Sequence, residues 1–351
     1  MKPVLITGGA GFIGTNLAER LLSTGQPVVV LDSLARPGVE QNLRWLRERH
    51  ADRVTVEIAD VRDAATVRRV VSRARQVFHF AAQVAVTTSL ADPVEDFEVN
   101  ALGTLGLLEA IRAQPVPPPL VFTSTNKVYG ALDDVALRRR HRRYEPVDPA
   151  ITRRGVSESR PLDFHSPYGC SKGTADQYVL DYSRSYGLPT TVFRMSCIYG
   201  PHQHGTEDQG WVAHFLIQAL EDREIRIFGD GRQVRDVLFV EDLVDALLLA
   251  QRHIGQQSGH AFNIGGGPEN AVSLVELLDE VAALTERPPR LAYDAWRVGD
   301  QRYYVSDTAR FTQATGWRPR VGVREGLARL SSWLREAGRV SALAAGGTGP
   351  R

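Results

Sequence analysis

Residues 1–14 read MKPVLITGGAGFIG, and this stretch decides the fold. Val4–Thr7 is a short apolar run with the pattern of a buried strand, and Phe12–Thr24 has helical periodicity. Between them Gly8, Gly11 and Gly14 fall in a G-x-x-G-x-x-G spacing. Such a turn lets backbone approach a pyrophosphate, and the helix N-terminus behind it offers amides and the positive end of its dipole. Tight strand–helix turns also use glycine, so the triplet alone is a weak signal. Its place between the first strand and the first helix strengthens it.

Working outward, Val28–Leu31, Val54–Ile58, Val77–Phe80 and Leu120–Thr123 read as further strands, with a long helix over Pro93–Arg112. Alternating strands and helices imply βαβ units. The expected fold is therefore α/β, a Rossmann doubly wound parallel sheet with a smaller α/β substrate-binding domain. Asp32 ends the second strand, where a carboxylate accepts both ribose hydroxyls of adenosine and repels a 2′-phosphate. This favours NAD over NADP. Asp60 follows the third strand, either facing the adenine edge or capping the next helix. Pro115–Pro119 ends the preceding helix, and Arg138–Arg143 (RRRHRR) reads as a solvated or phosphate-facing loop. The βα rhythm loosens after about Arg194. The expected domains are 1–190 with a returning segment near 234–262, then 191–233 with 263–338, and a flexible tail at 339–351.

Composition narrows the function. The 351 residues are 43% hydrophobic with a formal net charge of +1, which argues against nucleic-acid or membrane-surface partners. No apolar run reaches the ~20 residues of a membrane span, and the N-terminus enters a strand too soon for a signal peptide. Two cysteines, Cys170 and Cys197, are too few for a disulfide scaffold or a Cys-rich zinc site. Neither has a recognisable partner base, so both are expected in core packing. The histidines show no metal-ligand spacing beyond His202-x-His204, and no metal is expected. A cytoplasmic protein follows.

Only three of the 42 basic residues are lysines: Lys2, Lys127 and Lys172. Lys172 lies four residues after Tyr168, and Pro167 marks a helix start, so the two side chains share one helix face. A phenol with a pKa near 10 is a poor base at neutral pH. An adjacent ammonium and a positive nicotinamide both favour phenolate, so the pair is expected to lower the Tyr168 pKa.

These motifs make the chain resemble an extended short-chain dehydrogenase/reductase of the nucleotide-sugar epimerase/dehydratase type. The resemblance runs from TGGAGFIG at Thr7–Gly14 to TGWRP at Thr315–Pro319. STNKVYG (Ser124–Gly130), DFHSPYGCSKGTADQY (Asp163–Tyr178), DQGW (Asp208–Trp211), GDGRQVRDVL (Gly229–Leu238) and GDQR (Gly299–Arg302) carry it. It implies that Gly8, Gly11, Phe12, Ile13, Gly14 and Asp32 hold NAD pyrophosphate and ribose. Asp60 and Val61 would flank adenine, and Ala81, Ala82 and Gln83 would line the cofactor. Thr125, Tyr168 and Lys172 would be catalytic, with Tyr168 and Lys172 also meeting the cofactor. Arg235, Arg302 and the further candidate Arg297 would grip a diphosphate. Position assigns Asn126, Lys127, His165, Gln209 and Trp211 to a sugar pocket, Lys127 otherwise turning away to pair with an acid. The loop Gly200–Gly205 is placed on the sugar side.

Sugar 4,6-dehydratases carry Thr-Asp-Glu where this chain has Thr125-Asn126-Lys127, so elimination lacks its acid and base. The resemblance thus implies an epimerase of a nucleotide-activated sugar, with a CDP-sugar favoured and inversion at C2 through a 2-keto sugar. The alternatives are 4-epimerisation of a UDP- or CDP-hexose and, remotely, a catalytically silent NAD-binding regulatory protein. A homodimer or dimer of dimers is expected.

Overall fold

A computed structural model describes residues 1–297, 299–336 and 338; the expected tail at 339–351 lies outside them. The strands are β1 (Val4–Thr7), β2 (Val28–Asp32), β3 (Val54–Ile58), β4 (Gln76–His79), β5 (Leu120–Thr125), β6 (Leu137–Arg139), β7 (Tyr144–Pro146) and β8 (Thr190–Met195). They continue as β9 (Cys197–Tyr199), β10 (Ile225–Phe228), β11 (Val234–Phe239), β12 (His260–Ile264), β13 (Ala271–Ser273), β14 (Leu291–Asp294) and β15 (Tyr303–Tyr304).

Seven of them form one parallel sheet in the order β12-β8-β5-β4-β1-β2-β3. Val/Ile/Leu-rich strands such as VLIT and VVVLD bury both faces under helices, as a parallel sheet requires. Alternate residues supply two cores. Val4, Ile6, Val28 and Val30 face one side, and Leu5, Val29 and Leu31 face the other. The chain winds from β1 through β2 to β3, then crosses to β4 on the opposite side of β1. That switch opens a crevice at the C-terminal strand ends, where the glycine turn lies.

The helix over Pro93–Arg112 is interrupted by a π turn at Glu98–Leu102. Such a turn commonly marks a functional site, and this one carries buried Asn100. Helix Ser166–Tyr186 begins with Pro167 in its first turn and ends at Gly187, whose φ of 69° supplies the left-handed cap.

A second lobe holds a four-stranded sheet in which β11 pairs with β9, β13 and β15. Within the expected returning segment, the strand Val234–Phe239 pairs in that smaller sheet, and the chain rejoins the main sheet at His260–Ile264, beside β8. The helix between them, Val240–Arg252, packs its apolar face into the main core against helix Phe12–Ser23 and β5.

The basic run lies mostly in a loop. Arg138 and Arg139 end β6, and residues 140–143 form the connection of the antiparallel β6–β7 hairpin, where three arginines pair with acids. Arg140 pairs with Glu145, Arg142 with Asp279 and Arg143 with Glu276, which rivets the hairpin to helix Leu274–Thr285. A cavity of about 480 Å³ beside it is lined by His141, Arg142, Gly229, Asp230, Arg232, Val275 and Tyr293. It contains no expected site residue, and Arg142 and Arg232 are already paired with acids.

Candidate active site

The glycine turn is built to receive a dinucleotide. Gly8 has a φ of +67°, and a Cβ there would lie 2.7 Å from the Ala81 backbone nitrogen, so only glycine fits between β1 and the segment after β4. Gly11 is the N-cap of helix Phe12–Ser23, which has no capping side chain and no acid in its first turn. Its first-turn amides, including those of Phe12 and Ile13, lack a side-chain acceptor and suit a phosphate. Gly14 lets the helix approach the turn, since a Cβ there would meet Gly8 O at 2.3 Å.

Asp32 sits at the end of β2 and accepts from Ala10 N and Leu34 N, each at 2.9 Å. Burial pushes its pKa up, against lowering by those backbone bonds. Its two oxygens keep lone pairs for ribose hydroxyls. Asp60 is held by Arg62 through contacts of 2.9 and 2.8 Å, and Arg62 also pairs with Glu95 and Glu98. Asp60 is not a helix cap; Asp63 caps the helix at Ala64–Val71. Val61 is buried against Gly103. Beyond β4, Gln83 exchanges hydrogen bonds with Asn100, its N donating to Oδ1 at 2.9 Å and its O accepting from Nδ2 at 3.1 Å. Ala81 N donates to the Thr7 hydroxyl at 3.3 Å.

Thr125, Tyr168 and Lys172 come together at the C-terminal end of β5. Thr125 ends the strand, and its hydroxyl also accepts from Lys127 N at 3.2 Å, fixing the turn Asn126–Tyr129. Tyr168 N donates to Ser89 Oγ at 3.1 Å, and the Tyr168 phenol shares a side-chain hydrogen bond with Thr125. Lys172, 4% exposed, donates to Thr123 O at 2.7 Å and lies 4.3 Å from the centre of the Phe122 ring. Burial brings its pKa down to about 7, with Asp176 and Asp96 opposing the fall.

The expected lowering of the phenol by Lys172 is not what the chain's own groups produce. Burial pushes Tyr168 up to about 12; Thr125 pulls it down, Asp96 raises it, and Arg36 lowers it. The Lys172 ammonium turns toward the Thr123 carbonyl rather than the phenol, which removes it from that balance. Arg36, four residues beyond Asp32, was missed from sequence, and so were Asn100 and Asp96.

The second lobe brings up the remaining polar groups. Arg235 on β11 is buried and donates to Asp300 Oδ1 at 2.7 Å, Gln301 O at 2.5 Å and Val234 O at 2.8 Å. Lys127 donates to Gly299 O at 3.1 Å, and its pKa falls to about 8, through burial first and then Arg235, with Asp300 opposing. It neither turns fully away nor forms an ion pair among the described residues. Asn126 donates to Gln301 Oε1 at 3.2 Å, and Gln301 in turn donates to Gly130 O. Arg297 pairs with Glu207 and Asp208 and lies 3.9 Å over the Phe228 ring. Exposed Arg302 lies over the rings of Tyr144 and Trp296. Gln209 closes a turn with Thr206, and Trp211 donates to Cys197 Sγ at 3.3 Å. His165 pairs with Asp163 at 3.0 Å at the helix entrance.

The loop Gly200–Gly205 reaches two ways: Asn16 donates to Pro201 O and Asn42 bridges Ala10 O and His202 O, while Gln203 lies against Gly210 and Gly205 against His214. His202 sits between the tilted rings of Trp45 and Trp333. Cys197 is partly buried against the second-lobe core, but Cys170 is exposed, since its position on helix Ser166–Tyr186 points away from the sheet. Among the described residues, no three His, Cys, Asp or Glu side chains gather as a metal site.

A doubly wound sheet, an uncapped glycine turn and a Thr–Tyr–Lys cluster at one strand end define a dinucleotide-dependent short-chain dehydrogenase/reductase. A family model described as the NAD dependent epimerase/dehydratase family matches residues 4–265, and the chain belongs to that family, with NAD as its cofactor. CDP-paratose 2-epimerase of Salmonella typhi is 42% identical over 337 residues, covering 94% of this chain and 98% of that one. UDP-glucose 4-epimerase of Thermotoga maritima, solved with UDP-glucose, superposes with a TM-score of 0.80 at 31% identity, covering 95% and 99% of the chains. The dTDP-glucose 4,6-dehydratase DesIV of Streptomyces venezuelae, solved with NAD, gives 0.82 at 29% identity, covering 96% and 98%.

Proposed function

We propose that the protein inverts C2 of a nucleotide-activated sugar, in a reaction of the CDP-paratose to CDP-tyvelose type. The observation that carries this is the 42% identity to a CDP-paratose 2-epimerase over nearly both chains, against 31% and 29% for the 4-epimerase and dehydratase structures. The Thr125-Asn126-Lys127 turn agrees, since it offers no carboxylate pair for elimination.

NAD, when bound across Gly8–Gly14 and Asp32, supplies a reversible hydride acceptor. The chain handles the proton and the geometry. Tyr168 takes the C2 hydroxyl proton, Thr125 holds that oxygen, and Lys172 orients the nicotinamide ribose. Arg235, Arg297 and Arg302 grip the diphosphate, where guanidinium forks match phosphate oxygens. Asn126, Lys127, His165, Gln209 and Trp211 surround the sugar. Oxidation at C2 suits a 3-deoxy sugar, because a C4 ketone would not acidify C2. The configuration inverts by way of a transient 2-keto sugar.

A second reading, 4-epimerisation of a UDP- or CDP-hexose, is supported by the superposition on the Thermotoga maritima enzyme. Incubating the purified protein separately with CDP-paratose and UDP-glucose decides between them. Conversion of the CDP-sugar alone supports the first reading, and conversion of UDP-glucose alone overturns it.

The working form is a homodimer, supported by exposed Val94, Phe97, Leu102, Tyr178 and Tyr186 on the adjacent helices at 93–112 and 166–186. Both cysteines are free, as suits the reducing cytoplasm, and no described helix is long and apolar enough to cross a membrane.

A further inference from the structure

Asp96, on the short helix Pro93–Phe97, is 0% exposed and forms no ion pair among the described residues. Its Oδ2 accepts from Ser171 Oγ at 2.5 Å and its Oδ1 from Asn100 Nδ2 at 3.1 Å. Asn100 Nδ2 also reaches Ser171 Oγ at 3.0 Å and Gln83 O at 3.1 Å. Ser171 is the residue immediately before Lys172 and three after Tyr168. A neutral amide in place of Asp96 could accept the same Ser171 bond. Burial pushes the Asp96 pKa up, and the Ser171 bond and the Lys172 ammonium pull it back, so a carboxylate here is costly and its charge is the feature that needs a reason.

Resting on the reading of Tyr168 and Lys172 as the catalytic pair, we propose that Asp96 is their positioning residue. Its carboxylate fastens the turn of helix that carries both side chains, through Ser171, and balances the Lys172 ammonium across the buried interface.

The surroundings agree. Lys172 faces Asp176 on its own helix, Asp96 from the neighbouring helix, the Thr123 carbonyl and Phe122 ring of β5, and His79 of β4. His79 is neutral, its pKa brought down to about 3 by burial and by Lys172. Asp176 is committed to Arg194 at 2.9 Å, which leaves Asp96 as the carboxylate without a cation of its own. Tyr168 faces Thr125, Asp96 and Arg36. Asp96 raises both Lys172 and Tyr168, so removing its charge lowers both.

The test is the pH–rate profile of the holoenzyme with CDP-paratose for wild type, Asp96→Asn, Ser171→Ala and Tyr168→Phe. In Asp96→Asn both limbs move to lower pH by on the order of one unit, the scale set by a charge a few ångströms away, with kcat reduced about tenfold. Ser171→Ala keeps the charge and loses the fastening, so kcat falls while the limbs stay. A merely structural Asp96 would lower the rate at every pH without moving the limbs, and that result overturns the proposal. An unchanged kcat in Ser171→Ala overturns the fastening even if Asp96→Asn does not fold. Turnover by Tyr168→Phe would instead sink the catalytic assignment itself, an outcome separable from the other two.

Discussion

Replacing Lys172 by methionine should remove activity and also change how stability responds to pH. The ammonium is buried, and its pKa drops from 10.5 to about 7. Between those values the unfolded chain holds a proton that the folded chain has released. Unfolding therefore takes up a proton, and stability rises with pH by about 1.4 kcal/mol per unit from this one group. Below about pH 7 both states are protonated and the contribution is flat, at its least favourable. From pH 7 to pH 9 the wild type should gain about 2 kcal/mol that Lys172→Met does not. Titrating groups that do not sense Lys172, Lys127 included, are common to both proteins and cancel in the comparison. The assay is urea unfolding of both proteins at the two pH values after NAD has been removed, so that ligand binding does not enter. At pH 7 the variant gains from losing a buried charge but leaves the Thr123 carbonyl without its donor, a loss of about 1–3 kcal/mol. The sign at a single pH is therefore a poor test, and the difference of differences is a good one. Parallel pH dependences would refute the placement of Lys172 as a buried, destabilised ammonium.

Three further outcomes follow from the site. Gly8→Ala adds about 1–2 kcal/mol of backbone strain and a collision with Ala81 N, so the variant should purify with little NAD, read from the absorbance of heat-released nucleotide. Asp32→Ala should weaken NAD binding about tenfold and narrow the preference over NADP, measured by reconstituting the stripped protein with each. Arg235→Lys cannot reproduce the bonds to Asp300, Gln301 and Val234 together with a phosphate contact, so kcat/KM should fall about thirtyfold, mostly through KM in initial-rate kinetics.

What the sequence revealed was local. The strand–glycine turn–helix of residues 4–23 and the Tyr168–Lys172 spacing are contained within single segments, and periodicity or a short motif exposes them. What it hid was contact across the chain. Asp96 and Ser171 are 75 residues apart, and Asn100 reaches Gln83 from inside a π turn that no helical pattern announces. Asn16 and Asn42 hold the loop Gly200–Gly205 across separations of 185 and 160 residues, which no local pattern signals. Arg138–Arg143 was legible as a mostly exposed basic loop, but the acids that pair with Arg142 and Arg143, Asp279 and Glu276, lie far along the chain. The Tyr168–Lys172 spacing was legible, but the direction of the lysine was not. The Thr123 carbonyl that claims it belongs to a strand end that only the folded sheet brings near.

The central claim is that C2 is inverted by oxidation and return of the same hydrogen. A proton NMR time course in deuterated buffer, with purified protein, CDP-paratose and no added NAD, tests it most directly. The anomeric coupling should shrink as the C2 hydroxyl becomes axial, while C2 keeps its proton. Substantial deuterium at C2, or an unchanged sugar in the presence of NAD-loaded protein, would contradict it.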